Sequence, residues 1–167
     1  MNGDGNVGIG TTLPRTLLDI NGYIQLRMFA FHLVPSVDTS YSTNDTLITA
    51  FNTFVTDVNA SALSAISGGI FTRKIKGYYS IHVNLYSPGA STSWTVRKNA
   101  TSSTTGTELG GGVGNVSTSS ISAIILLDVN DTIKIYTKTA TNVVRATVAG
   151  GTWPASSFTG LLLSQTN

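Results

Sequence analysis

The chain has 167 residues, 41% of them hydrophobic and only 11% charged, with a formal net charge of +2 and a pI near 9.0. That length suffices for one domain with a real core, while so small a basic excess excludes an argument for a nucleic-acid partner. Cysteine is absent, which removes disulfide staples, thiol catalysis and thiolate metal sites together, and the longest apolar runs, about five residues, fall far short of the roughly 20 that span a bilayer.

In chain order the first unusual stretch is GNVGIGTTLPRTLLDINGYIQL, residues 5–26. Val7 and Ile9 alternate with Gly8 and Gly10, so neighbouring chains can approach closely where glycine leaves no side chain. Pro14 removes a donor and limits sheet extension. Leu18 and Ile20 form a second apolar face, and Asn21-Gly22 permits a tight turn. Nothing here stabilises a single chain, so residues 1–27 are expected to be an extended stem that needs partner chains. Met1 stands almost directly on this motif, and a longer chain upstream is expected. A loose leader is the plainer reading of the same residues.

Beyond the stem the chain reads as β nearly throughout, rich in Thr, Ser, Val, Ile and Gly. Strands are predicted over 25–34, 70–75, 78–86, 92–99, 122–129, 132–139, 143–149 and 157–164. Turn chemistry separates them at Lys76-Gly77, Ser87-Pro88-Gly89, Gly110-Gly111-Gly112, Asn130-Asp131 and Gly150-Gly151. Gly110–Gly114 lacks the Lys-Ser/Thr of a phosphate loop and reads as a flexible loop. Residues 46–66 place Leu47, Ala50, Phe51, Phe54, Val55 and Val58 at helical spacing, but their Thr and Val content favours strand and loop. Many short strands with frequent turns mean a sandwich or barrel.

Strand faces carry more information than strand positions. In 78–86, Tyr79, Ile81, Val83 and Leu85 form an apolar face opposite Ser80, His82 and Asn84, bracketed by Tyr78 and Tyr86. Residues 123–127 and 158–163 do not alternate, and apolar residues on both faces normally mean cover on both sides. A two-sheet sandwich covers only one face of each sheet. The second cover is therefore expected from a neighbouring copy around a threefold axis, which also suits the low charge content.

Gly69-x-Phe71 followed by Gly77-x-Tyr79-x-Ile81 resembles the signature of the complement C1q and tumour-necrosis-factor-like family. The strand–turn–strand SAIILLDVNDTIKIYT and the closing Phe158-x-Gly160-x-Leu162-Leu163 are similar to that family's later strands. Ile81 replaces its usual aromatic, and no Gly-X-Y stalk precedes the domain. The resemblance covers about residues 28–164. It implies an all-β fold, a ten-strand jelly-roll sandwich over 28–167, assembled as a homotrimer. Ile124, Leu126, Phe158, Gly160, Leu162, His82 and Tyr86 are then the expected threefold contacts.

The stem resembles a motif of phage and large-virus fibre proteins, V-G-I-G-T-T-x-P followed by L-D-V-x-G. It is matched here by Gly8, Gly10, Thr11, Thr12, Pro14, Leu18, Asp19 and Gly22. Together the two resemblances imply a fibre head on a virion surface that attaches to a host glycan or protein. The alternative is a secreted or cell-surface C1q-like adhesin of a cellular organism.

Enzymatic chemistry is hard to assemble. His32 and His82, the only histidines, fall within strands and read as interface or core residues rather than bases. A glycosidase needs two carboxylates about 5–10 Å apart, and no spacing among the eight acids argues for such a pair. No cofactor is expected. Asp128-x-Asn130-Asp131 could hold calcium, but a β-turn explains it with less. Arg73, Lys74 and Lys76 read first as a solvated strand edge and second as an acidic-glycan patch. Host contact is expected from loops at 36–46, 87–93, 100–114 and 150–157, where Tyr41 and Trp153 could stack on a sugar. Asn44, Asn59, Asn99, Asn115 and Asn130 begin glycosylation sequons, which matter only in a glycosylating compartment.

Overall fold

Period-two alternation and frequent turns leave the chain few ways to hide its apolar residues other than between two sheets. The computed structural model, which describes residues 6–13, 15–20, 29–58, 64–87, 92–114, 118–139, 142–146 and 155–166, has this architecture. In chain order the strands are β1 (Val7–Ile9), β2 (Leu18–Ile20), β3 (Ala30–Pro35), β4 (Thr39–Tyr41), β5 (Phe51–Val58), β6 (Ser64–Ser67) and β7 (Ile70–Arg73). They continue as β8 (Gly77–Tyr86), β9 (Thr92–Lys98), β10 (Thr107–Gly114), β11 (Thr118–Leu127), β12 (Thr132–Thr137), β13 (Asn142–Val144) and β14 (Ser157–Gln165). No helix occurs among the described residues.

One five-stranded sheet runs β11-β8-β14-β3-β5 and the other β10-β9-β12-β7-β6; β13 pairs with β4, and β1 with β2. Both large sheets are antiparallel throughout. This is the jelly-roll sandwich expected from the sequence.

The inward faces meet in an aromatic cluster. Phe29, Phe31, Phe71, Tyr79 and Phe158 are essentially fully buried. Their rings lie 5.1–5.9 Å apart, the Phe31–Phe158 pair nearly perpendicular. Each such pair adds roughly 0.5–1.5 kcal/mol beyond burial. Ile81, Val83, Trp94, Val96, Ile133 and Ile135 extend the core along the sandwich.

Glycine has two distinct uses here. Gly68 and Gly69 make the two-residue turn between β6 and β7 with φ of 54° and 74°, the left-handed pair that a type I′ hairpin demands. Gly112 has a packing role: a Cβ there would lie 2.3 Å from Ser119 Oγ and 2.4 Å from the Trp94 indole nitrogen. The Gly110–Gly114 run is thus strand, not the flexible loop read from sequence. Its glycines admit Trp94, whose Nε1 donates to Ser119 Oγ at 2.6 Å. Residues 46–66 likewise contain β5 and β6 and no helix, with 59–63 outside the described residues. The Asn130-Asp131 turn forms as read: Asp131 N–H donates to Asp128 O at 3.0 Å, and Asn130 has φ of 72°.

Candidate functional site

The outward face of the β11-β8-β14-β3-β5 sheet is built by strand register. Leu126 stands beside Tyr78. The next row runs Ile124, Ser80, Leu161, Ala30, Val58, and the row after it Ser122, His82, Thr159, His32, Thr56. Ile124 is 71% exposed, and Leu126, Tyr78, Leu161 and Val58 are exposed as well. Asp57 is the single charged residue in the five strands, and it stands in register with Phe31, one position off the histidine row. The two imidazoles lie in one row with Thr159 between them. Both line a shallow depression of about 280 Å³, floored by Ala30, Ser80, Thr159 and Leu161. His82 Nδ1 lies 2.8 Å from Ser122 Oγ.

The opposite sheet faces outward with charge, and the chain itself covers it. Arg97 pairs with Glu108 at 2.6 Å and donates to Thr105 O at 2.9 Å, and Lys138 reaches Glu108 at 3.0 Å. Lys134 Nζ and Tyr136 Oη both donate to Ala100 O, drawing the 99–106 loop over the sheet. Hydrogen bonding and charge from Lys138, helped by Thr95 and Arg97 and opposed by burial, hold the Glu108 carboxyl below its ordinary range. At the sheet's end the Asp131 carboxylate takes Lys98 Nζ at 2.7 Å, Asn99 Nδ2 at 2.6 Å and the Asp128 N–H at 2.7 Å. Burial works against that charge, yet these donors keep the acid below its usual range. A calcium ion at Asp128-x-Asn130-Asp131 would have to displace the Lys98 ammonium, so the donor set does not fit the ion.

Two residues expected on the surface are interior. Tyr41 is buried, its hydroxyl accepting the N–H groups of Thr49 at 2.9 Å and Ala50 at 3.0 Å; it cannot stack on a sugar. Arg73 is fully buried, its guanidinium 4.8 Å from the Tyr79 ring centre and donating through Nη1 to Leu127 O. Burial pulls its pKa down, countered by Tyr79, Asp131 and Asp128. Lys74 is exposed, and Lys76 reaches Asp128 at 3.3 Å. Trp153 lies outside the described residues.

Of the expected threefold contacts, Ile124 and Leu126 are outward and exposed, and His82 and Tyr86 outward and half-buried. Phe158 and Gly160 belong to the chain's own interior. They stand in register with inward Val83 and Ile81, and a Cβ on Gly160 would lie 2.3 Å from the Phe31 ring. Leu162, opposite Tyr79, packs on the same core. Period two therefore assigns the outward position of β14 to Leu161. Sequence reasoning missed Leu161, Tyr78 and the pairing of His32 with His82. Counting alternation outward from Phe158 would have found the first of these; only register across three strands reveals the histidine row.

Within one chain the two short strands of the stem pair with each other. β1 and β2 pair in parallel, and Val7 N–H donates to Leu17 O at 2.9 Å. Asp19 Oδ2 accepts the Arg15 N–H at 2.9 Å, and Thr11 Oγ1 that of Leu13 at 3.2 Å. A Cβ on Gly8 would lie 2.5 Å from Thr11 O, so this glycine serves a turn within the chain. Gly10, at φ 72°, and the exposed Thr12 continue that turn towards Leu18; Pro14 and Gly22 lie outside the described residues. Ile9, Leu13, Leu17 and Leu18 remain exposed.

The C1q domain family matches residues 30–163. Among solved structures, the globular domain of zebrafish complement 1qA is 18% identical, with a TM-score of 0.58 over 83% of this chain and 99% of that one. Murine APRIL at pH 8.5 is 15% identical, with a TM-score of 0.59 over 81% and 99% of the two chains. Eiger TNF from S. frugiperda is 11% identical, with a TM-score of 0.58 over 85% and 96%. No curated protein matches the sequence.

Proposed function

The chain belongs to the C1q domain family, and from that premise we propose that it is a non-enzymatic binding head that works as a homotrimer, the knob of a viral or phage fibre that attaches to a host surface. One observation carries the assembly: the face exposes Ile124, Leu126, Tyr78 and Leu161 around Ser80, and its other described residues are uncharged. Patches of this kind on soluble proteins mark association sites. Three copies turning this face toward a common axis would cover it. The charged sheet, under its own loop, would stay in water.

The fibre assignment rests on the likeness of residues 7–22 to viral and phage stem motifs. A secreted or cell-surface C1q-like module is the second reading, favoured by the similarity to the zebrafish complement domain. Capsid-anchoring or tail-anchoring sequence upstream would support the first, and a collagen or secretion segment the second. Binding would act through avidity, with three weak sites on one rigid head engaging together. Contact would come from loops at the sandwich ends, where Lys74 is free to meet an acidic glycan.

Light scattering on the full chain and on a form lacking residues 1–22 tests the assembly. A mass three times 17.5 kDa in both supports assembly through the sandwich. A trimer only in the full chain moves the contact to the stem. A monomer in both ends the proposal.

A further inference from the structure

Both histidines of the chain occupy one row of an otherwise uncharged sheet face, and this arrangement has a consequence for acid. The inference rests on the reading that this face is buried between copies. His82 is flanked by Ser122 on β11 and by Thr159 on β14; His32 is flanked by the same Thr159 and by Thr56 on β5. The diagonal neighbours are Ser120, Ile124, Ser157, Leu161 and Val58. Among the described side chains facing the pair there is no carboxylate, ammonium or guanidinium, and the ionisable groups nearest on the face are the phenols of Tyr78 and Tyr86. Asp57, the one acid in these strands, is in register with Phe31 rather than with either histidine.

We propose that His32 and His82 make this head an acid-released assembly, whose copies separate as the pH falls from neutral toward about 5. A neutral imidazole is tolerated at a dry contact beside Ser and Thr hydroxyls. An imidazolium there meets no anion among the described side chains, so burying it is costly. In the separated chain the same rings border an open depression, where water can solvate their charged form.

Protonation therefore favours the separated state. Assembly is fully present near neutral pH and is lost as acid protonates the rings. Each histidine kept neutral in the assembly weakens it up to about tenfold per pH unit of further acidification. Two sites per chain, repeated around the axis, make the response steep.

The test is light scattering of the full chain at pH 7.5 and pH 5.0, at one ionic strength, beside His32→Gln/His82→Gln and each single variant. Fluorescence of the buried Trp94 checks that the sandwich stays folded. The expected result is a trimer at pH 7.5 and a lower mass at pH 5.0 with unchanged fluorescence. The double variant should hold its mass at both pH values, and each single variant should show a shallower loss. Undiminished mass of the unaltered chain at pH 5.0 overturns the inference and leaves the trimer standing. Equal acid loss in the double variant overturns it too, because another group is then responsible. A monomer already at pH 7.5 overturns the trimer and the inference with it. A double variant that fails to fold leaves the single variants to decide: acid loss as steep as in the unaltered chain in both would overturn the inference.

Discussion

The two sheets of the sandwich share a core and differ in everything that faces away from it. The β10-β9-β12-β7-β6 sheet turns outward Arg97, Glu108 and Lys134, joined to Lys138 and covered by the 99–106 loop. The β11-β8-β14-β3-β5 sheet turns outward Ile124, Leu126, Tyr78, Leu161 and two histidines, with no described part of the chain laid over them. Inward residues are equivalent, since Phe71 from one sheet and Phe158 from the other are both fully buried. The difference teaches where assembly information lies. A core needs apolar residues from both sheets, whereas the face with neither charge nor cover among the described residues is the one the proposed assembly would bury.

The first way to test this comparison is to attack what the sheets share. Phe71→Ala should cost about 3–5 kcal/mol, the range for truncating a buried aromatic, read by denaturant unfolding. A loss below about 1 kcal/mol would mean that the aromatic cluster is not the common core.

Next comes the contrast itself. Ile124→Glu places an unpaired charge on the bare face, where burial of a lone charge costs about 3–5 kcal/mol. The mass should fall to that of a monomer while unfolding of the separated chain stays within about 0.5 kcal/mol. The matched change on the other sheet, Lys134→Glu, should leave the mass unchanged. If both variants behave alike, the comparison fails.

A smaller effect is expected from Gly112→Ala. The added methyl meets Ser119 and the Trp94 indole, an overpacking that costs about 1–3 kcal/mol and shifts Trp94 fluorescence.

Acid should separate the sheets in time. Asp38 is held below its ordinary range by the Ala146 N–H first and then by Arg145, and Glu108 and Asp131 are lowered as well. Carboxylates depressed in the folded state stabilise it above their unfolded pKa near about 4 and lose that contribution as the pH falls through the folded values. Unfolding followed by fluorescence should therefore begin below about pH 4. Loss of mass through the histidine face should come earlier, between neutral pH and about pH 5.

The smallest effect belongs to Lys138→Gln. Lys138 and its partner Glu108 are both partly exposed, and such pairs are worth about 0–1 kcal/mol. Thermal unfolding that shifts more would show the charged sheet to be less solvated than its exposure implies.

The fold was largely readable because its signals are local. Strict alternation in 78–86 marked β8 and its dry face, and the Asn130-Asp131 turn formed where the side-chain chemistry placed it. The failures share one cause, namely that a residue type was read without its neighbours across the sheet. Gly110–Gly114 looked flexible because nothing in the run announces that Trp94 must fit against it. Arg73 looked like a solvated edge, yet it sits inward on β7 over the Tyr79 ring. Tyr41 looked like a loop aromatic, but β13 pairs with its strand and its hydroxyl takes two backbone N–H groups. At the candidate site, Ile124 and Leu126 came directly from the apolar run. Phe158, Gly160 and Leu162 are expected among the threefold contacts yet pack on the chain's own core, because an unbroken apolar run does not say which of its alternate positions faces in.

By itself the sequence determined an all-β sandwich, its principal strands and the surplus of apolar surface beyond what one sandwich can cover. Composition and period two act within a few residues and require no knowledge of partners. Only the tertiary structure decided which alternate residues of β14 face the core, why position 112 of β10 must be glycine, and that His32 and His82 share one row across Thr159. Those facts depend on register between strands far apart in the chain, and register is set by the joint packing of both sheets rather than by any one segment.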